Sequence, residues 1–230
     1  MSAQFRAIVS LSFVFACAAF AESPGGAGVS PVLVYLETGS NADSASLPFM
    51  RRETETLLRT AGYHVEWRDA GGTREPDTRA DLVVVRLAGS CTAPVGQNAA
   101  AASPDGLQRL ATTPVVDGRI LPFSQVDCAA LTRALVASLT DEAPARRTYL
   151  YGRAMGRLVA HELYHILGQT TEHSRSGVGK SCFSLGDLTA EVFEFEPGAL
   201  ARLRRLADPA NAAAHGMDDG TPAAAILNGR

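Results

Sequence analysis

Three of the chain's five histidines lie in one short segment, HELYHILGQTTEH, at positions 161–173. His161 and His165 are four residues apart, so an α-helix of about 3.6 residues per turn places both imidazoles on one face. Imidazole nitrogens are good ligands for divalent metal ions such as Zn²⁺. Glu162 is adjacent, where its carboxylate can take a proton from a water held by the metal. The spacing therefore predicts a metal site on a helix, with Glu162 as the general base.

A third protein ligand is needed, because a catalytic zinc site has three protein ligands and leaves a fourth position for water. Gly168 is predicted to end the helix, since glycine readily adopts the left-handed conformation that turns a chain back. His173 follows soon after that turn and is the predicted third ligand. Four other side chains remain alternatives to it: Glu191, Asp187, His215 and Cys182.

The segment resembles the motif of the metzincin zinc metallopeptidases, H-E-x-x-H-x-x-G-x-x-H. It matches that motif at His161, Glu162, His165 and Gly168. Thr171 occupies the family's third histidine position, and the histidine comes two residues later in this chain. The resemblance therefore implies a return loop two residues longer than the family's own.

Metzincins also have a methionine turn below the metal and, in some members, a downstream tyrosine that assists catalysis. Met217 is the only methionine after the motif, and its neighbours differ from those of the usual turn. No tyrosine follows Tyr164. Met217 is thus either the counterpart of that methionine or an ordinary residue of the C-terminal segment.

The resemblance implies a zincin-like fold of the α/β (α+β) class, in which a mixed twisted sheet precedes the long helix of the active site. It implies Zn²⁺ held by His161, His165 and His173. Hydrolysis of a peptide or protein substrate would follow, with Glu162 as the catalytic base. Two other functions use the same residues: a secreted zinc-binding module without catalysis, and a zinc amide hydrolase of another class.

The remaining sequence predicts the elements that position this segment. Apolar and β-branched runs predict strands at residues 31–37, 63–68 and 81–87, the last buried on both faces. Asp117-Gly118 predicts a hairpin between residues 115–116 and 120–121. Helical periodicity predicts helices at about residues 47–61, 126–139 and 145–167, and short ones at 185–195 and 199–206. The order predicts one mixed α/β domain over residues 31–207.

The N-terminal residues have the pattern of a secretory signal peptide. Arg6 precedes an apolar run at positions 7–20, and Ala19-Phe20-Ala21 is typical of a cleavage site. We expect cleavage after Ala21, with a lipoprotein cleavage before Cys17 as the alternative. Residues 22–30 are predicted to be a flexible lead-in and residues 208–230 a flexible tail. The protein is therefore expected to be exported, either secreted or periplasmic.

The cysteine content predicts one disulfide, and the charge argues against some classes of binding partner. Cys91, Cys128 and Cys182 remain after cleavage, and an oxidising compartment favours one disulfide, which we predict between Cys91 and Cys128. The full chain has a net charge of −3 and no basic stripe, which argues against a nucleic-acid partner. No segment after the signal peptide is long and apolar enough to predict a membrane span.

Overall fold

The computed structural model describes residues 29–39, 45–69, 81–95 and 109–208. The predicted signal peptide, most of the lead-in, and the C-terminal residues 209–230 with His215 and Met217 lie outside these ranges. The described elements, in chain order, are β1 (Ser30–Thr38), α1 (Leu47–Thr60), β2 (Tyr63–Asp69), β3 (Asp81–Ala88), β4 (Ala111–Thr112), β5 (Val115–Val116), β6 (Arg119–Ile120), β7 (Phe123–Asp127), α2 (Cys128–Leu139), α3 (Pro144–Gly168), α4 (Leu185–Thr189) and α5 (Pro197–Ala207).

A five-stranded mixed sheet forms the framework, with the strand order β2-β1-β3-β7-β4. The first four strands of that order are parallel, and β4 is antiparallel to β7 at the edge, where Ala111 pairs with Val126. The α/β (α+β) class is therefore confirmed. The hairpin of β5 and β6 forms a separate two-stranded unit next to β4 in sequence, as Asp117-Gly118 predicts.

The predictions for strand β3, for the start of α2 and for the helix at residues 185–195 were wrong in detail. The central strand β3 is not buried on both faces: Val83 and Val85 are buried, but Val84 is only partly buried and Leu82 is exposed, because packing covers one face of the strand more fully. Val126, predicted to begin a helix, belongs to strand β7, and α2 begins only at Cys128.

The boundaries of α2 and α4 have local causes. The Asp127 carboxylate accepts a hydrogen bond from the Ala130 amide at 2.8 Å and so caps α2. The helix predicted at residues 185–195 is shorter and ends as α4 at Thr189, because Ala190 is extended. The following residues pair with a loop, where the Val178 amide donates a hydrogen bond to the Glu194 carbonyl at 3.0 Å.

Helix α3 is buried from Leu150 to Gly168 and is packed tightly on α1. Two of its glycines make this possible. A β-carbon on Gly152 would lie 2.4 Å from the Ser46 carbonyl oxygen, and one on Gly156 would lie 2.7 Å from the Met50 carbonyl oxygen. Arg157 adds a polar anchor, because its buried guanidinium donates to Glu53 of α1 at 2.8 Å and to the Ala190 carbonyl at 2.7 Å.

Gly156→Ala is expected to destabilise the protein by about 1–3 kcal/mol, because the added methyl group forces α1 and α3 apart. Gly198→Ala is the matched control. A β-carbon there meets nothing within 4 Å, and α5 gains roughly 0.5–1 kcal/mol of helix propensity. Urea unfolding of both variants measures the difference. Equal stability of the two would contradict the tight helix contact.

The predicted disulfide is confirmed, since Cys91 and Cys128 are bonded. It ties the segment after β3 to the first turn of α2. Among the described helices, none is both long and apolar enough to cross a lipid bilayer.

Candidate metal centre

Helix α3 carries the first three predicted site residues on its last two turns. His161, Glu162 and His165 are all buried, with exposed fractions of 7, 3 and 8%. Residues such as Met155 and Leu163 of the same helix are fully buried in the core. The backbone that holds the site is therefore fixed by core packing, as a precise ligand geometry requires.

Backbone carbonyls orient both helical histidines. Nδ1 of His161 lies 2.7 Å from the Val178 oxygen, and Nδ1 of His165 lies 2.7 Å from the Thr170 oxygen. A carbonyl oxygen only accepts, so each Nδ1 must carry the hydrogen, and each neutral ring then has its lone pair on Nε2. Metal-ligating histidines have this arrangement, in which the ring nitrogen away from the metal donates to a backbone carbonyl.

The two Nε2 atoms lie 3.1 Å apart. With both lone pairs directed into this gap they repel each other unless a cation or a proton lies between them. Two nitrogens on a tetrahedral zinc ion with bonds of 2.0–2.1 Å are about 3.3 Å apart. The separation therefore fits a pair of metal ligands.

His173 completes the cluster. Ligand atoms of His161, His165 and His173 all lie within 4.8 Å of one another, and within the described ranges this is the one group of three or more side chains suited to hold a metal ion. His173 is exposed, and its ring lies 4.8 Å from that of His165. An adjustment on the order of 1 Å would bring its nitrogen to zinc-ligand separation. The three predicted histidines are thus brought together.

The return loop after α3 differs from its prediction at one residue. Gly168 remains helical, and Gln169 takes the left-handed conformation with φ 43°. The Gln169 side chain compensates by donating to the Ile166 carbonyl at 2.6 Å. Beyond it, the Tyr164 hydroxyl donates to the Glu172 carbonyl at 3.2 Å. These bonds hold the long loop that carries His173.

A second loop, residues 174–181, supplies the acceptor for His161, a role that the sequence did not predict. Gly177 has φ 67°, and a β-carbon there would lie 2.1 Å from the Glu194 carbonyl oxygen. Only glycine fits such a site. The turn places the Val178 carbonyl against His161. The segment SRSGVGKS contains two glycines, Gly177 and Gly179, and nothing in the sequence indicates this role for Gly177.

Glu162 is held by a threonine that was also missed. Its Oε2 accepts a hydrogen bond from the Thr113 hydroxyl at 2.6 Å. Burial raises the pKa of Glu162 to about 7, while the Thr113 hydrogen bond and the charge of Arg109 oppose that rise. Thr113 and Arg109 flank β4, a two-residue strand too short for periodicity to reveal.

Burial has the opposite effect on the histidines. It lowers the pKa of His161 to about 4 and also lowers the pKa of His165, in spite of their backbone hydrogen bonds. Both rings are therefore neutral at physiological pH. Neutral imidazole is the form that binds a metal ion.

A cleft of about 370 Å³ opens directly onto the three histidines and Glu162. Its walls come from the edge of the sheet, from the β5–β6 hairpin and from the return loop. The main wall residues are Arg109, Thr113, Val115, Ile120, Thr170 and Thr171.

The alternative third ligands within the described residues form other contacts or are outside the three-histidine group. Glu191 accepts from Arg146 at 2.9 Å, and that hydrogen bond lowers its pKa. Asp187 caps α4 with Ser184 and pairs with Lys180. Cys182 is a free, exposed cysteine outside the three-histidine group. His215 is outside the described residues.

Comparison with known proteins gives no match: no protein-family model, no curated protein and no solved structure is similar to this chain. Any function must therefore be argued from the chain's own residues and their geometry.

Proposed function

We propose that this chain is an exported zinc-dependent metallopeptidase of metzincin-like type. The observation that supports it best is the convergence of two lone pairs, on His161 Nε2 and His165 Nε2, at 3.1 Å beside a buried carboxylate. His173 lies within reach as the third ligand. Three ligands from the protein leave a coordination position for water, which a purely structural site does not need.

The ligand chemistry favours zinc. Three imidazoles without a carboxylate suit Zn²⁺ far better than Mg²⁺ or Ca²⁺, which take oxygen ligands. When bound there, Zn²⁺ supplies a Lewis acid that polarises a substrate carbonyl and acidifies a coordinated water. Export is supported by the Cys91–Cys128 disulfide and by the signal-peptide pattern of residues 1–21.

Glu162 is the proposed catalytic base. Thr113 binds its Oε2, which leaves Oε1 to accept the proton of the attacking water and deliver it to the leaving amine. The cost of burying this carboxylate falls when a cation is adjacent, because opposite charge favours the ionised form. A metal ion on the three histidines would therefore stabilise the ionised form of Glu162 that a general base requires.

A peptide is the proposed substrate because the cleft borders the edge strand β4. In the described part of the chain, β4 pairs with β7 alone, so its other edge offers backbone groups to an extended chain. On the hairpin side, Val115 and Ile120 line the cleft and add an apolar wall.

Two measurements on the mature protein, residues 22–230, test the proposal. Elemental analysis is expected to find about one zinc per chain. Cleavage of casein is expected to stop with 1,10-phenanthroline and to return with added Zn²⁺. Bound zinc without cleavage of casein or of mixed peptides would favour the non-catalytic module or the amide hydrolase. Absence of stoichiometric metal would refute the site itself.

A further inference from the structure

Arg109 occupies a distinctive position above the candidate metal centre. A second cleft of about 90 Å³ adjoins the first, between the start of β4 and the loop at Ser181. Both clefts share Arg109, Ala111, His161, Glu162 and Ser181 as lining residues. Arg109 therefore stands where the two clefts meet, next to the base and to one metal ligand.

The guanidinium of Arg109 is available for a ligand. Its side chain is exposed, and none of the residues that the structure describes accepts a hydrogen bond from it or pairs with it as a salt bridge. It is nevertheless near enough to Glu162 for its charge to act on that carboxylate. Arginine offers five N–H donors in a planar fork that matches a carboxylate.

The charge of the cleft also favours an anionic ligand. Apart from the histidines, Arg109 and Glu162 are the only charged side chains among the described residues that line the large cleft. A divalent cation on the histidines makes the cleft strongly positive, and such a site concentrates anionic ligands. Within the described residues, Glu162 forms no salt bridge with Arg109.

We propose that Arg109 is a specificity-determining residue that binds a substrate carboxylate next to the scissile bond. This inference rests on the proposed peptidase function. The carboxylate has two sources, an aspartate or glutamate side chain within the substrate or the free C-terminus of a short peptide. An extended chain advances about 3.3–3.6 Å per residue. Arg109 therefore binds a carboxylate within one or two residues of the cleaved bond.

The test uses the zinc-loaded mature chain and a neutral, end-capped peptide that it cleaves. One arm places a single glutamate at each position within two residues of the cleaved bond, and the other leaves the C-terminus free. For the wild type, kcat/KM is expected to be about tenfold higher for at least one carboxylate peptide than for the neutral one. In Arg109→Gln that ratio is expected to fall about tenfold, and in Arg109→Glu to invert.

Arg119→Gln is the matched control, because Arg119 is an exposed arginine of the β5–β6 hairpin outside both clefts. Its ratio of kcat/KM for the carboxylate peptide to kcat/KM for the neutral peptide should equal that of the wild type. The proposal is overturned if the wild type shows no carboxylate preference, if Arg109→Gln keeps it, or if Arg109→Gln slows all peptides equally. The last result would mean that Arg109 stabilises the transition state of every substrate and does not select among substrates.

A binding measurement separates this inference from the proposed function. Zinc-loaded Glu162→Gln protein is titrated calorimetrically with a short peptide that carries one glutamate and a free C-terminus, and adding Arg109→Gln is expected to weaken binding about tenfold. If the wild type cleaves no peptide, the proposed function fails, while this titration still decides the role of Arg109. Equal affinity of the two proteins overturns it.

Discussion

Glu162→Gln is expected to retain about one zinc per chain while kcat falls by roughly 10²–10⁴-fold, the usual contribution of a general acid–base group. Glutamine preserves the size of the side chain and can still accept from Thr113, but it cannot take a proton. Elemental analysis and steady-state cleavage of a reporter peptide measure the two effects. Glu172→Gln is the matched control, since that nearby side chain is exposed.

The same variant has a distinct signature in the metal-free protein. Because burial raises the pKa of Glu162 from 4.5 to about 7, the folded state loses stability as the pH rises through that interval and the carboxylate ionises. Above pH 7, Glu162→Gln should therefore be more stable than the wild type by about 1–3 kcal/mol. Below about pH 4.5 the difference should vanish, since both side chains are then neutral. Thermal unfolding at pH 8 and pH 4 measures it.

Either of two outcomes would remove Glu162 from its role. Undiminished turnover in Glu162→Gln would exclude it as the base. Equal stability of the metal-free proteins at pH 8 would mean that ionising Glu162 does not lower the stability of the folded state. That result would contradict the raised pKa that its burial causes. Added zinc should reduce the stability difference, because a neighbouring cation favours the charged carboxylate.

The sequence could predict the parts of the site that lie on one helix. His161, Glu162 and His165 follow from helical spacing alone, and the core residues of α3 follow the same period. The disulfide between Cys91 and Cys128 was also predictable, because the chain is expected to be exported and has few cysteines. These features depend on local geometry or on residue type.

Contacts between distant segments were not predictable. Thr113 reaches Glu162 across 49 residues, and Val178 reaches His161 across 17. Both depend on how short loops and the two-residue strand β4 are placed by the sheet. Val126 illustrates a related ambiguity, because an apolar residue at the junction of a strand and a helix fits either pattern.

The turn after α3 shows why residue preference is a weak guide at one position. Gly168 has the lower intrinsic cost in the left-handed conformation, yet Gln169 adopts it. The amide of Thr170 donates to the His165 carbonyl at 3.2 Å, and the Gln169 side chain adds its own bond to the helix end. Hydrogen bonding at the helix terminus thus outweighs the local preference.

His173→Ala is expected to weaken zinc binding by at least about 100-fold. A side chain that binds the metal directly contributes more than the groups that hydrogen-bond to such a ligand, and the loss of one of those groups already costs about 10–100-fold. The fold should be unaffected, since the imidazole is exposed and the loop is held by bonds from other groups. Competition with a chromophoric chelator measures the affinity. Metal-free His173→Ala should unfold at the wild-type temperature, whereas zinc should raise that temperature for the wild type alone.

His64→Ala provides the control, because His64 is an exposed histidine on β2, away from the cluster. Asp187→Ala and Glu191→Ala test the alternative ligands and should keep zinc, since their carboxylates already pair with Lys180 and Arg146. Unchanged zinc affinity in His173→Ala would exclude this histidine as the third ligand. Loss of zinc in one of the other two would then identify the ligand that replaces it.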